Sequence, residues 1–176
     1  MSEARIDELT IAIDPTSCGF AFAVLEGPDR LVDWGTRYVA RGDRNASCVV
    51  SVNALVRKHA PDALAIEDCD ALGSRRCRRV RVLIRKLTGT AALQTLTVRL
   101  VSPRLLCEIC TGSRDATKHE VAVSLTRRFP ELARHLPPPR KPWMTEDVRM
   151  SVFDAVGLAV AAVYRRPRNR AIKKRP

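Results

Sequence analysis

Three acidic residues interrupt runs otherwise built for burial: Asp14 in LTIAIDPTSCGFAFAVLEG, Glu67 in DALAIED and Asp154 in SVFDAVGLAVAAV. Singly, each has a plain structural explanation. Asp14 before Pro15 can cap a turn, Glu67 can end a strand in solvent, and Asp154 can pair with an arginine. Jointly they have another. Carboxylates gathered on partly buried elements repel one another and raise each other's pKa unless a cation lies between them, and a hard divalent ion is the simplest such cation. Mg2+, with Mn2+ as a substitute, takes few protein oxygens and leaves its other positions to water and substrate phosphates. An open acidic cluster beside basic helices therefore suits hydrolysis of phosphodiesters.

The cations are as unevenly placed as the acids. The 176 residues include 31 Lys and Arg against 19 Asp and Glu, a net charge of +12. The excess is concentrated in SRRCRRVRVLIRKL, residues 74–87, and in YRRPRNRAIKKRP, residues 164–176. In the first segment Val80, Leu83, Ile84 and Leu87 form one apolar stripe. Arg75, Arg76, Arg78, Arg79, Arg81, Arg85 and Lys86 fill the other directions, which predicts a basic amphipathic helix facing a polyanionic partner. A basic tail over residues 167–176 is expected to be disordered and to add salt-sensitive phosphate affinity.

Elements must bring the acids together. Residues 8–14 and 18–26 alternate as two strands around a turn at Pro15 and Gly19, and residues 30–39 continue as a third. RNASCVVSVNALVRKHAP has helical spacing and ends at Pro61. Residues 62–68 fit a buried parallel strand. The basic helix at 74–87 and a strand at 95–103 follow, then helices from Pro103 to about Cys110 and from Thr117 to Phe129, a proline-rich loop at 136–143, and a last helix over 144–166. The order predicts an α/β fold, a mixed five-stranded sheet of three antiparallel then two parallel strands, flanked by helices, in one domain of residues 1–166. Asp14 and Glu67 then end neighbouring parallel strands at the same edge. The apolar residues around Asp154 require the last helix to pack on the sheet with that acid near its rim.

Other chemistries fit poorly. No apolar run approaches the roughly 20 residues that span a bilayer, and MSEARIDE lacks the character of a secretory signal, so an intracellular protein is expected. The six cysteines lack the density of a disulfide scaffold. Cys107 and Cys110, in CEIC, have metal-ligand spacing but no second pair for zinc. His119 and His135 lack a nucleophile partner. A sugar-kinase or actin-like ATPase would need two such domains.

The segments IAIDPTSCGFAFAV, ALAIED, SPRLLCEICTGSRDATKHEVA and FDAVGLAVAAV, in this order, resemble the RuvC-type Holliday-junction resolvases of the RNase H-like nuclease superfamily. The resemblance covers most of the chain. It implies an RNase H-like fold and a metal-dependent endonuclease that acts as a homodimer on branched DNA, a four-way junction above all, leaving 5′-phosphate and 3′-hydroxyl ends. It makes Asp14, Glu67 and Asp154 metal ligands and Lys118 the cation near the scissile phosphate. It also has gaps. A second acid expected three residues before Asp154 is Ser151 here. Asp147, returning to the same helix face, is the favoured replacement, with Glu146 the less direct one. Asp70 stands where the family often carries an aromatic residue, and Cys107 lies near the place of a missing lysine. A non-catalytic domain that holds branched nucleic acid is the alternative.

Overall fold

The computed structural model describes residues 8–141 and 143–164. Strands β1 (Leu9–Pro15), β2 (Gly19–Glu26), β3 (Arg30–Tyr38), β4 (Ala63–Glu67) and β5 (Thr97–Val101) form one sheet in the order β3-β2-β1-β4-β5. The β1, β2 and β3 pairings are antiparallel, while β4 joins β1 and β5 joins β4 in parallel, as the sequence predicts. Among the described residues five α-helices flank the sheet: α1 (Arg44–His59), α2 (Arg78–Leu93), α3 (Pro103–Thr111), α4 (Lys118–Arg128) and α5 (Met150–Tyr164). Among the described residues no helix is long and apolar enough to cross a membrane.

Alternation along the strands gives each face its own core. Ile11 and Ile13 of β1 join Phe20, Phe22 and Ile66 beneath α1 and α2, whose stripe of Val80, Leu83, Ile84 and Leu87 is buried as predicted. The other face is floored by small residues, Ala12, Ala21, Ala23 and Ala65, all fully buried. Side chains this small let a helix lie close. α5, apolar on nearly every side, packs there and is covered in turn by α3 and α4.

Two helix starts differ from expectation. α2 begins at Arg78 rather than Ser74 and continues to Leu93, with residues 74–77 outside the helix. α5 begins at Met150 rather than residue 144. A 3-10 helix, Pro130–His135, follows α4 and seats Leu132 in the core. The basic tail expected at 167–176, like the expected end of the last helix, lies outside the described residues.

Candidate active site

The sheet register sets the site. Ile13 pairs with Ile66 in parallel, so the next residues along, Asp14 one short of the end of β1 and Glu67 at the end of β4, emerge at the same sheet edge. Both are buried, at 3% and 8% exposure. The turn after Asp14 is closed by Thr16 N donating to the Gly19 carbonyl at 2.9 Å. α5 brings Asp154 to the rim because Phe153 and Ala155 on either side are pinned in the core. α4 opens with a capping box in which the Thr117 and Glu120 side chains each bond the other's backbone N–H. That fixed start places Lys118, whose Nζ donates to Asp154 Oδ2 at 2.8 Å and lies 2.6 Å from Glu146 Oε1.

Between the two strand-end acids stands Arg76. Its Nη2 is 2.5 Å from both Asp14 Oδ1 and Glu67 Oε2, its Nε donates to Glu67 Oε2 at 2.7 Å, and its Nη1 donates to the Pro15 carbonyl at 3.0 Å. Ser74 Oγ donates to Glu67 Oε1 at 2.7 Å. These bonds explain the late start of α2: residues 74–77 follow the acids instead of the helix axis. Arg76 was expected among the DNA-facing cations of that helix, and it points inward instead. No spacing signals this, because only the folded register of β1 beside β4 distinguishes it from the arginines around it.

The charges oppose one another strongly. Burial pushes the Asp14 carboxyl up to about 7, against the pull of Arg76, and the nearby Asp154 adds to the rise. Burial likewise raises Asp154 against Lys118. Burial disfavours charge on Arg76 and Lys118, but the acids outweigh it and hold both cations firmly protonated.

These groups line a cleft of about 450 Å³ that also holds Arg75, Leu106, Cys107 and Leu158. A second hollow of about 290 Å³ shares Asp14, Arg76, Lys118, Glu146 and Asp154 and adds Thr36, Tyr38 and Asp147. Together they form a groove across the strand ends. Among the described residues, no three His, Cys, Asp or Glu side chains form a ready metal cage. The donor chemistry nevertheless fits a hard divalent ion, since all four acids are oxygen donors and one point already lies 2.5 Å from two of them. That point is held by Arg76.

Asp147 does not share a helical face with Asp154, contrary to expectation. It precedes α5, accepts from Arg149 N at 2.9 Å and Arg149 Nη2 at 2.7 Å, and is held down to about 2 by that side chain and that backbone N–H. A short acid just before a helix takes up the backbone at its entrance. The acid that meets Lys118 is Glu146. Ser151 Oγ donates back to the Val148 carbonyl at 2.8 Å. Asp70 lies 3.4 Å from Arg81, whose Nε donates to the Arg76 carbonyl. Arg79 also turns inward, donating to the Thr16 carbonyl at 2.7 Å and to Asn45 Oδ1 at 3.0 Å. Arg75, Arg78, Arg85 and Lys86 remain exposed.

No family model and no curated protein matches the sequence. Solved structures match in fold. Thermus thermophilus RuvC matches at a TM-score of 0.65 with 17% identity, over 89% of this chain and 94% of its own. The fold is that of the RuvC-type resolvases. T. thermophilus RuvC in complex with Holliday junction substrate matches at 0.64 with 18% identity, over 88% and 92%. The yeast mitochondrial Holliday junction resolvase Ydc2 matches at 0.62 with 11% identity, over 92% and 80%. The RNase H-like sheet expected from the four motif segments is thus the one observed.

Proposed function

We propose that the protein is a divalent-metal-dependent endonuclease that cuts branched DNA, four-way junctions foremost, as a homodimer in the compartment that holds the DNA. The observation that carries this is the convergence of Asp14, Glu67 and Asp154 from three separate elements on one groove, with Lys118 beside them. Asp14, Glu67 and Asp154 are the groups to hold Mg2+ or Mn2+, with Glu146 better placed than Asp147 to complete the set. A divalent ion held by these acids would supply Lewis acidity toward a phosphodiester and lower the pKa of a water. Lys118, at the start of α4, keeps Asp154 oriented and adds positive charge where the transition state gains negative charge. Arg75, at the cleft, and Arg78, exposed nearby, are suited to the phosphodiester backbone.

The test is incubation of the protein with end-labelled four-way junctions in Mg2+, in Mn2+ and in EDTA. Symmetric nicks that require the metal support the proposal. Binding with no nick in either metal sinks it and leaves the second reading, a domain that holds branched DNA without cutting it. That reading has its own observation, the arginine that already pairs with both Asp14 and Glu67.

A further inference from the structure

Arg76 is bound as a cation rather than as a surface charge. One nitrogen touches both strand-end carboxylates at 2.5 Å, close to the roughly 2.0–2.6 Å at which Mg2+ or Ca2+ meets carboxylate oxygen. The seat cannot hold both cations. We propose that Arg76 is an exchangeable occupant of the seat between Asp14 and Glu67: it holds the two carboxylates in the metal-free protein, yields them to a divalent ion, and then turns to a substrate phosphate in the same cleft. The inference rests on the acids being a divalent-cation site.

Three features make exchange possible. The residue sits in the non-helical link before α2, so its side chain can leave without unwinding a helix. Its side chain is 23% exposed and lines the cleft of about 450 Å³, which gives the freed guanidinium a place to stay. The planar fork that binds carboxylates also matches phosphate. The neighbouring cations are placed otherwise: Lys118 serves Asp154 and Glu146, and Arg79 is fastened to the Thr16 carbonyl. The pairing also offsets the charge of both buried acids. Without the arginine, two buried acids would face each other and Asp154 unpaired, a costly arrangement.

Calorimetric titration of Mn2+ into the full chain, Arg76→Met and Arg76→Lys decides the matter, with circular dichroism reporting folding. Arg76→Met should bind Mn2+ at least about tenfold more tightly, and Arg76→Lys, which cannot fork across both acids, should fall between. In EDTA the Met variant should melt lower than the parent and recover more on adding Mn2+. Equal Mn2+ affinity in all three proteins overturns the inference and leaves the cation site standing. Mn2+ binding to none of them removes the cation site and the inference with it. Should Arg76→Met fail to fold, the Lys variant alone is decisive, tighter binding supporting the exchange and equal binding overturning it. A second arm measures four-way junction affinity with Ca2+ and with EDTA. The Ca2+-dependent gain of the parent should shrink at least threefold in Arg76→Lys, and an unchanged gain overturns the release to phosphate.

Discussion

At the scale of single residues, the groove is a contest between burial and pairing. Asp14 is the clearest case, 3% exposed yet within reach of a guanidinium. On the proposed function, Asp14→Asn should abolish cleavage of branched DNA while keeping or strengthening its binding, because it removes a proposed metal ligand and a phosphate-repelling charge together. Undiminished cutting by this variant would exclude a ligand role. The same substitution has a pH signature in EDTA. Burial pushes the native carboxyl up to about 7, from 3.8 for an ordinary aspartate. A group whose folded pKa is raised contributes stability that is complete below the unfolded value and is lost as pH rises through the folded one. Urea unfolding between about pH 4 and pH 7 should therefore show a smaller loss of stability for Asp14→Asn than for the parent. Matching pH profiles would mean that burial does not raise the group. Glu146 and Asp147 separate in the same manner. Glu146 touches Lys118 and Asp147 is engaged by Arg149, so Glu146→Gln should lower cleavage by about 10–100-fold, the scale of losing a supporting ligand. Asp147→Asn should change it far less, and the reverse order would return the role to Asp147.

At the scale of elements, the strands and helices owe their legibility to periodicity, and the errors fall where side chains of the site take hold of the chain. β1 through β5, α1, α3 and α4 lie within a few residues of their predicted bounds, because alternation, helical spacing and Pro61, Ser102 and Thr117 mark them locally. The start of α2 was not legible because Ser74 and Arg76 bond to acids that lie far away until the sheet forms. The start of α5 was misread because acids at 146 and 147 look helical by spacing, whereas Asp147 takes up the backbone before the helix. Of the candidate site, the three acids stood out in the sequence and Lys118 came from the family resemblance, but the partner of two of the acids was not legible. The first hairpin shows how tightly the elements hold Asp14. A Cβ on Gly19 would stand 1.9 Å from the Arg37 carbonyl oxygen, a backbone atom fixed in β3. Gly19→Ala should thus destabilise the protein by about 1–3 kcal/mol or more, as overpacking does. Chemical denaturation measures this, and an unchanged midpoint would mean the hairpin opens without cost.

At the scale of the whole molecule, charge is split between a groove with a defined acid cluster and a chain end with none. Residues 165–176 contain seven Lys and Arg and no acid, over half of the net +12. Their contribution to DNA binding should depend on charge alone, whereas Arg75 at the cleft and Arg78 nearby should also sense the shape of the junction. Phosphate contacts release counterions, so log affinity falls with log salt by about 0.9 for each phosphate neutralised on duplex DNA. Removing residues 167–176 should flatten that slope and weaken four-way and linear DNA alike, leaving their ratio unchanged. Replacing Arg75 and Arg78 together by Gln should lower the slope by about two and also narrow the preference for the four-way junction. Binding isotherms at several salt concentrations on both DNAs distinguish the two. A groove that reads branched DNA predicts that the ratio follows Arg75 and Arg78. If the ratio follows the tail instead, recognition lies outside the groove and the acid cluster has no privileged substrate geometry.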